Sequence, residues 1–274
     1  MFLFNFNSIL CDNPLPWQIG FQDSASPIHE GIVELHNTIF FYLIVIFIFV
    51  FVFLISTGIN FNNSNNKFTY KYLSHNTILE FIWTVSPAFI LIAIAFPSFK
   101  LLYMMDEVIA PSLTIKVNGH QWYWNYEYCD FINEDEESIN FDSYMIPDTD
   151  LELGQFRTLD VDNRIFIPID TMVRFICTSY DVIHCFAVPS LGIKVDCTPG
   201  RLNQVTTIAE RAGIFYGQCS ELCGIAHYGM PIVIQSVDIP EFILWIDSNK
   251  LFPYFKFNYA IFYYLIWIYT SLSY

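Results

Sequence analysis

Five side chains that favour soft metals stand close together in this sequence of 274 residues. Cys219, Cys223, His227 and Met230 fall within twelve positions, and His184 lies 35 positions upstream. Two thiols, two imidazoles and a thioether make a soft-to-borderline donor set, and thiolate with thioether selects copper over hard cations. A long methionine bond is also a mark of electron-transfer copper. The segment 219–230 suits a loop wrapped around a metal, with His184 supplied from a different strand edge.

Each residue has a plainer reading when taken alone. A lone His184 is ordinarily a half-buried histidine, and a lone Met230 is ordinarily core packing. Cys219 and Cys223 could be free buried thiols or a disulfide outside the cell. Two Cys and two His also form a common structural zinc set, although zinc makes no use of methionine. A single blue copper takes one Cys, two His and an axial Met, which leaves a second Cys over. Two thiolates bridging two copper ions, with one histidine on each, would use all five side chains. Sharing one electron over two metals lowers the rearrangement that electron transfer requires. On residue types copper is favoured and zinc stays open. In either case the second ring nitrogens of His184 and His227 are expected to have fixed partners.

The elements that must hold these donors follow from composition. Hydrophobic residues make up 54% of the chain, aromatics 19% and charged residues only 14%, against roughly 25% charged in a soluble domain. A wholly soluble chain and a disordered one are both disfavoured. Twelve bases against 27 acids give a net charge of −15, which argues against nucleic acid, whose phosphates need a basic surface. An acidic surface suits a basic protein partner instead. Residues 107–250 alone carry a net −13. That asymmetry divides the chain into an apolar membrane part and an acidic, water-facing part. Seven cysteines are too few for a disulfide scaffold and odd in number.

Residues 37–59 carry no charge and contain the unbroken apolar run 39–55. That length meets the need for about 20 apolar residues to cross a bilayer, whereas a core strand runs only about 4–8. A second uncharged stretch covers 81–99, closed by Lys100 and interrupted by Pro87 and Pro97, which membrane helices tolerate when neighbours satisfy the freed carbonyls. The two predict a helical hairpin. The connection 60–79 carries Lys67 and Lys71 and no acid. The positive-inside rule puts that connection inside and both flanks outside. The first ten residues hold no Lys or Arg and make a poor secretory signal.

The outer part reads as β. Runs 113–117, 121–128, 173–178 and 205–208 are β-branched or aromatic with turn residues between them, and Pro147, Pro168, Pro189, Pro199 and Pro231 punctuate it. This spacing predicts a sandwich or Greek-key barrel. The acidic run 134–137 reads as a solvated loop, and the uncharged, aromatic tail 257–274 as membrane-embedded or covered by a neighbouring subunit.

The stretch Gly217-Gln218-Cys219-Ser220-Glu221-Leu222-Cys223-Gly224, with His227 and Met230-Pro231, resembles the copper signature of cytochrome c oxidase subunit 2. Gly119-His120-Gln121-Trp122-Tyr123-Trp124, Phe141-Asp142-Ser143-Tyr144-Met145, Ala187-Val188-Pro189-Ser190-Leu191-Gly192 and Pro199-Gly200-Arg201-Leu202-Asn203-Gln204 are similar to further blocks of that family, in the same order. The resemblance runs from about Trp17 to about Trp245. It implies a membrane α-helical hairpin (two transmembrane helices) followed by an all-β Greek-key, cupredoxin-like outer domain. It implies that Cys219 and Cys223 bridge two coppers, that His184 and His227 bind one each, and that Met230 is a weak ligand. Glu221 would give its backbone carbonyl to copper and its carboxylate to magnesium at the contact with subunit 1. Trp122 matches an exposed aromatic that receives the electron from cytochrome c, and Asp181 an acid that docks that basic partner. Glu80 matches the acid at the mouth of a proton path, although a carboxylate at a helix start also complements the helix dipole. The chain departs from the usual pattern at Cys185 and Phe186, and Cys129, Cys177 and Cys197 match no family role.

The expectation is therefore an electron-transfer subunit of a terminal oxidase, with oxygen chemistry in subunit 1 and subunit 3 as a further neighbour. Its expected location is the mitochondrial inner membrane, with the β domain facing the intermembrane space. The expected segments are an outer N-terminal segment 1–36, the hairpin 37–105, the copper-binding β domain 106–250 and the apolar tail 251–274. Two rivals are a membrane-anchored copper-delivery protein, which needs neither Trp122 nor an acidic face, and a quinol oxidase subunit, which would lack the copper ligands.

Overall fold

The computed structural model describes residues 11–61, 72–107, 110–132 and 138–249. The tail 251–274, Lys67 and Lys71, the run 134–137 and the first ten residues lie outside them. The chain divides into two units, one of residues 27–107 and the other of residues up to Ser26 together with those from Val108 onward.

The first unit is a pair of helices, α1 (Pro27–Asn60) and α2 (Thr77–Asp106). Both expected apolar stretches lie inside them and are exposed along their lengths, which excludes buried core helices. The helices overrun those stretches because apolarity marks what suits lipid, whereas capping marks where a helix ends. Asn76 caps α2 by accepting from Leu79 N at 3.2 Å, and Glu80 follows in the first turn, where the positive end of the dipole favours a carboxylate. Pro87 and Pro97 sit within α2 without ending it. Gly31 of α1 marks a close approach to α2, because a Cβ there would meet Leu101 Cδ1 at 2.8 Å. Residues 27–36, expected in a separate N-terminal segment, instead begin α1.

The second unit is the β domain. Its strands are β1 (Cys11–Asp12), β2 (Leu113–His120), β3 (Tyr123–Ile132), β4 (Ser138–Ser143), β5 (Ile165–Pro168), β6 (Met172–Ser179), β7 (His184–Val188), β8 (Ile193–Cys197), β9 (Asn203–Ile208), β10 (Gly213–Gln218) and β11 (Pro231–Val237). One sheet has the order β4-β3-β2-β6-β9, a second has β1-β10-β11-β5, and β7 and β8 form a separate hairpin. Parallel pairs join β2 to β6, β5 to β11 and β1 to β10. A single 3-10 turn, Pro189–Leu191, connects β7 to β8 and closes on Gly192 in the left-handed region, with φ 66. A short helix, α3 (Ile239–Ser248), follows β11.

The core lies between the sheets. Ile115, Val117, Trp124, Tyr126, Tyr128, Phe175, Phe186, Phe215, Ile232 and Ile234 are completely buried in one cluster. Each large apolar side chain so buried contributes about 1.5–3 kcal/mol. Trp245 of α3 covers one end, with its ring 5.0 Å from that of Phe166 and 5.1 Å from that of Tyr128.

The segment before α1 is laced onto this domain. Ala25 N donates to Ser190 O at 3.0 Å, and Glu210 N donates to Ala25 O at 2.9 Å. Ser26 Oγ donates to Leu191 O at 2.8 Å. The Arg211 guanidinium pairs with Asp12 and lies over the Phe215 ring, 5.2 Å from its centroid.

Candidate metal centre

Three connections converge on the donors. The β10–β11 ladder ends on the pair Gln218 and Pro231, which closes the loop 219–230 at its base. The β6–β7 connection brings in Asp181, and His184 is the first residue of β7. The β2–β3 ladder ends on His120 and Tyr123, leaving Gln121 and Trp122 as a two-residue turn.

His184, Cys219 and Cys223 are buried, and their donor atoms all lie within 4.8 Å of one another. Cys219 Sγ is 4.0 Å from His184 Nδ1 and 4.0 Å from Cys223 Sγ. Cys223 Sγ in turn is 3.4 Å from His227 Nδ1 and 3.6 Å from Met230 Sδ. The donors thus form a chain: an imidazole, two thiols, then a second imidazole with the thioether. Cys219 Sγ also donates to Glu221 O at 3.4 Å, so that carbonyl points into the centre while the Glu221 residue as a whole is exposed. Sulfur, imidazole and thioether donors at these separations fit copper chemically.

The ring of His184 is held from behind. Its Nε2 is 2.8 Å from Asp181 Oδ1, and Asp181 Oδ2 accepts from Gln121 N at 2.6 Å. Asp181 Oδ1 also accepts from Val182 N at 2.6 Å and Ser179 Oγ at 3.2 Å. A carboxylate on Nε2 keeps the proton there and leaves Nδ1 free to ligate. Burial tends to raise the Asp181 pKa, but the hydrogen bonds from His184, Val182 and Gln121 outweigh it and hold the carboxyl below its usual range. Burial likewise tends to lower His184, but Cys219 and Asp181 together raise it. His227 is only half-buried, and its Nε2 has no partner among the described residues, contrary to the expectation of two fixed rings.

The two thiols titrate unequally. Burial opposes ionisation of Cys219, yet its bonds to His184 and to neighbouring backbone bring its pKa down. Cys223 is pushed up by burial and by the adjacent Cys219 charge. The His184 imidazole therefore favours a thiolate at Cys219, and a charge there disfavours a second one at Cys223.

Trp122 is half-buried rather than fully exposed. Its indole Nε1 donates to Cys223 O at 3.2 Å, beside Gln121 Nε2 on the same oxygen at 2.8 Å. Trp124, which was legible only as part of an aromatic block, forms the floor. Its Nε1 donates to Met230 O at 3.0 Å, and its ring stands 5.9 Å from that of His184. Ser220 N donates to Cys185 O at 3.1 Å and ties the two ligand-bearing segments together. Gly217 permits that contact, because a Cβ there would lie 2.0 Å from Ala187 O. Cys185 is completely buried and takes no place among the donors; burial and Asp196 push its thiol up to about 12. Glu80 belongs to the helical unit, and nothing at Glu221 identifies magnesium.

Residues 113–237 match the family profile described as cytochrome C oxidase subunit II, periplasmic domain, and residues 14–101 match its transmembrane domain. Cytochrome c oxidase subunit 2 of Mycosarcoma maydis is 62% identical over 242 residues, covering 88% of this chain and 95% of that relative. The Pneumocystis carinii protein is 58% identical over 243 residues, covering 89% and 99%. Among solved structures, the periplasmic domain of subunit II of cytochrome oxidase from Bradyrhizobium japonicum is 44% identical, covers 53% of this chain and 97% of its own, and aligns with a TM-score of 0.46. Two matched regions and near-full-length relatives agree with the buried Cys/His group: the chain belongs to the cytochrome c oxidase subunit II family, the electron-transfer subunit of haem-copper oxidases.

Proposed function

We propose that this chain takes electrons one at a time from cytochrome c at a pair of copper ions and passes them to haem in subunit 1. The ligands in this reading are His184, Cys219, Cys223, His227, Met230 and the Glu221 carbonyl. The carrying observation is the order of the donors, two thiols in the middle and an imidazole at each end. Copper held by these residues would supply a one-electron redox centre. The chain's own part is to keep that centre fixed and dry. Asp181 sets the His184 tautomer, Trp124 backs the ring, and Gly217 lets the two ligand segments touch.

Trp122 is the point of electron entry in this reading, because its indole N–H reaches the carbonyl of a ligand cysteine while part of the ring stays accessible. The net −13 on residues 107–250 suits a basic partner. The Glu221 carboxylate takes magnesium at the contact with subunit 1 in this reading, while its backbone carbonyl accepts from Cys219 Sγ. Glu80 opens a proton path at the start of α2. Subunit 3 completes the neighbourhood. The hairpin lies in the mitochondrial inner membrane with the β domain toward the intermembrane space, since Lys67 and Lys71 mark the connection as inner.

The test is copper per chain in the purified complex, with electron spin resonance on the same sample. Two coppers with a delocalised mixed-valence signal support the reading. One copper with a single-ion spectrum, or stoichiometric zinc, overturns it. A loaded centre that ferrous cytochrome c cannot reduce would point to the copper-delivery alternative.

A further inference from the structure

Among the described residues, three buried thiols lie outside the metal centre: Cys177 on β6, Cys185 on β7 and Cys197 on β8, all completely buried. Cys177 and Cys197 are held against each other by their surroundings. Thr178, next to Cys177, donates its Oγ1 to the carbonyl of Thr198, next to Cys197, at 3.4 Å. Ser179 and Pro199 form a parallel bridge one residue further along. Asn203, paired with Cys177 across β6 and β9, donates its Nδ2 to Asp196 O at 2.5 Å, immediately before Cys197. Three contacts therefore clamp the flanks of the two cysteines together, and both side chains enter the same core cluster.

Cys185 is placed differently. It pairs with Asp196 across β7 and β8, and Asp196 is its strongest side-chain neighbour. For Cys177, that neighbour is the Cys197 thiol, which adds to the effect of burial in pushing its pKa up. The buried Tyr126 hydroxyl, which has no hydrogen-bond partner among the described residues, borders the same two thiols.

We propose that Cys177 and Cys197 are a disulfide-forming pair, a second thiol site whose bridge pins β8 to β6 behind the ligand His184. Cys197 is the cross-strand partner of His184, so the bridge would fix the strand that flanks this ligand. In the structure both are free thiols, and folded burial shields them from reagents. The bridge is accordingly made while the domain folds. The co-reactant is a disulfide-bearing thiol oxidant, and the outer, oxidising side that supplies it rests on the placement proposed above. The Cys177 thiolate attacks one sulfur of that disulfide, giving a mixed disulfide and releasing the oxidant's other thiol. The Cys197 thiolate then attacks the Cys177 sulfur, closes the bridge and releases the oxidant's second thiol. Two protein thiols are oxidised, one oxidant disulfide is reduced to two thiols, and the two protons of the protein thiols end on the oxidant's two thiols.

The test uses the intact complex, denatured in an alkylating reagent without reductant and digested with trypsin. Cleavage after Arg174, Lys194 and Arg201 puts Cys177 and Cys185 on fragment 175–194 and Cys197 on fragment 195–201. The expected result is one linked species of those two fragments, two hydrogens lighter than their sum, with Cys185 alkylated and the link lost on reduction. The link should persist in Cys185→Ser and disappear in Cys177→Ser. Alkylation of both Cys177 and Cys197 before reduction, or a link from either to Cys185, Cys219 or Cys223, overturns the inference. Copper measured on the same sample separates the two readings. Full copper without the link removes only this inference, whereas the link without copper removes only the proposed function.

Discussion

The carboxylate of Asp181 reaches the back of His184, 2.8 Å from Nε2, while its other oxygen accepts from the backbone of Gln121 in the turn that carries Trp122. One side chain therefore holds both the ligand ring and the turn beside it. Replacing it should disturb the centre as well as the surface. Asp181→Ala is expected to weaken copper retention about 10–100-fold, the usual cost of losing an outer-shell partner. Asp181→Asn should retain more copper and, in the proposed docking role, slow cytochrome c association chiefly at low ionic strength. Copper content after dialysis against a chelator and stopped-flow association at two salt concentrations check both. Unchanged retention in Asp181→Ala would show that the ring needs no such support.

Trp122→Phe removes the indole donor to Cys223 O but keeps an aromatic ring. Stability should fall by about 1 kcal/mol, the net worth of one hydrogen bond, with the second donor, Gln121, still in place. Electron entry from cytochrome c should slow while affinity and the copper spectrum stay nearly unchanged. Flash-induced reduction kinetics decide it; a rate equal to that of the unmodified complex would exclude Trp122 from the route.

Cys219→Ser and Cys223→Ser should each abolish the delocalised signal rather than halve the copper cleanly, since in the proposed centre each thiolate touches both metals. Met230→Leu should be milder, shifting potential more than metal content. Copper analysis with spin resonance on the three variants tests this ordering.

The pH behaviour follows from His184. Its folded pKa is raised above the ordinary 6.5 by Cys219 and Asp181 acting against burial. In the copper-free protein this group contributes stability that is fully present below its unfolded pKa and lost as pH rises through the folded one. Copper needs the neutral ring, so metal binding strengthens over that same rise. The melting gap between loaded and copper-depleted complex should therefore widen from about pH 5 to about pH 8. A gap that is constant with pH would show that His184 does not exchange a proton for metal.

Gly217→Ala should be among the most damaging small changes in the chain, because the added methyl meets a backbone oxygen that has no rotamer to escape into. The expected cost is about 1–3 kcal/mol of stability, with lowered copper content because Cys219 lies two residues on. Thermal melting and copper analysis of the variant measure both.

The donors were legible because four of them share one loop, so spacing along the chain stands in for spacing in the fold. The apolar helices were legible for a similar reason, since length and absence of charge are properties of a single segment. Other features are not local. Strand β7 reads His-Cys-Phe-Ala-Val and is buried on both faces, and β11 is buried throughout, so neither shows the alternation that marks a half-exposed strand. The glycines at both 213 and 217 mask β10. The parallel pairings of β2 with β6 and β5 with β11 join residues roughly sixty to seventy apart. Gly217 looks like an ordinary motif glycine until Ala187 is placed against it. Asp181 looked like a surface acid because the sequence does not show that its carboxylate turns inward toward a residue three positions on.

The lacing of residues 11–26 onto the β domain sets the parity of membrane crossing. Asp12, Ala25 and Ser26 are bonded to Arg211, Ser190 and Leu191, so the segment before α1 and the domain after α2 occupy the same aqueous phase. The chain between them must cross the bilayer an even number of times, and two helices satisfy this whichever way the hairpin points. With the β domain on the outer side, as proposed, insertion becomes a two-cargo problem: a short leading segment and a large acidic domain both have to be carried across. The bonds between them can form only after the second crossing is complete, and once formed they oppose any reversal of the first.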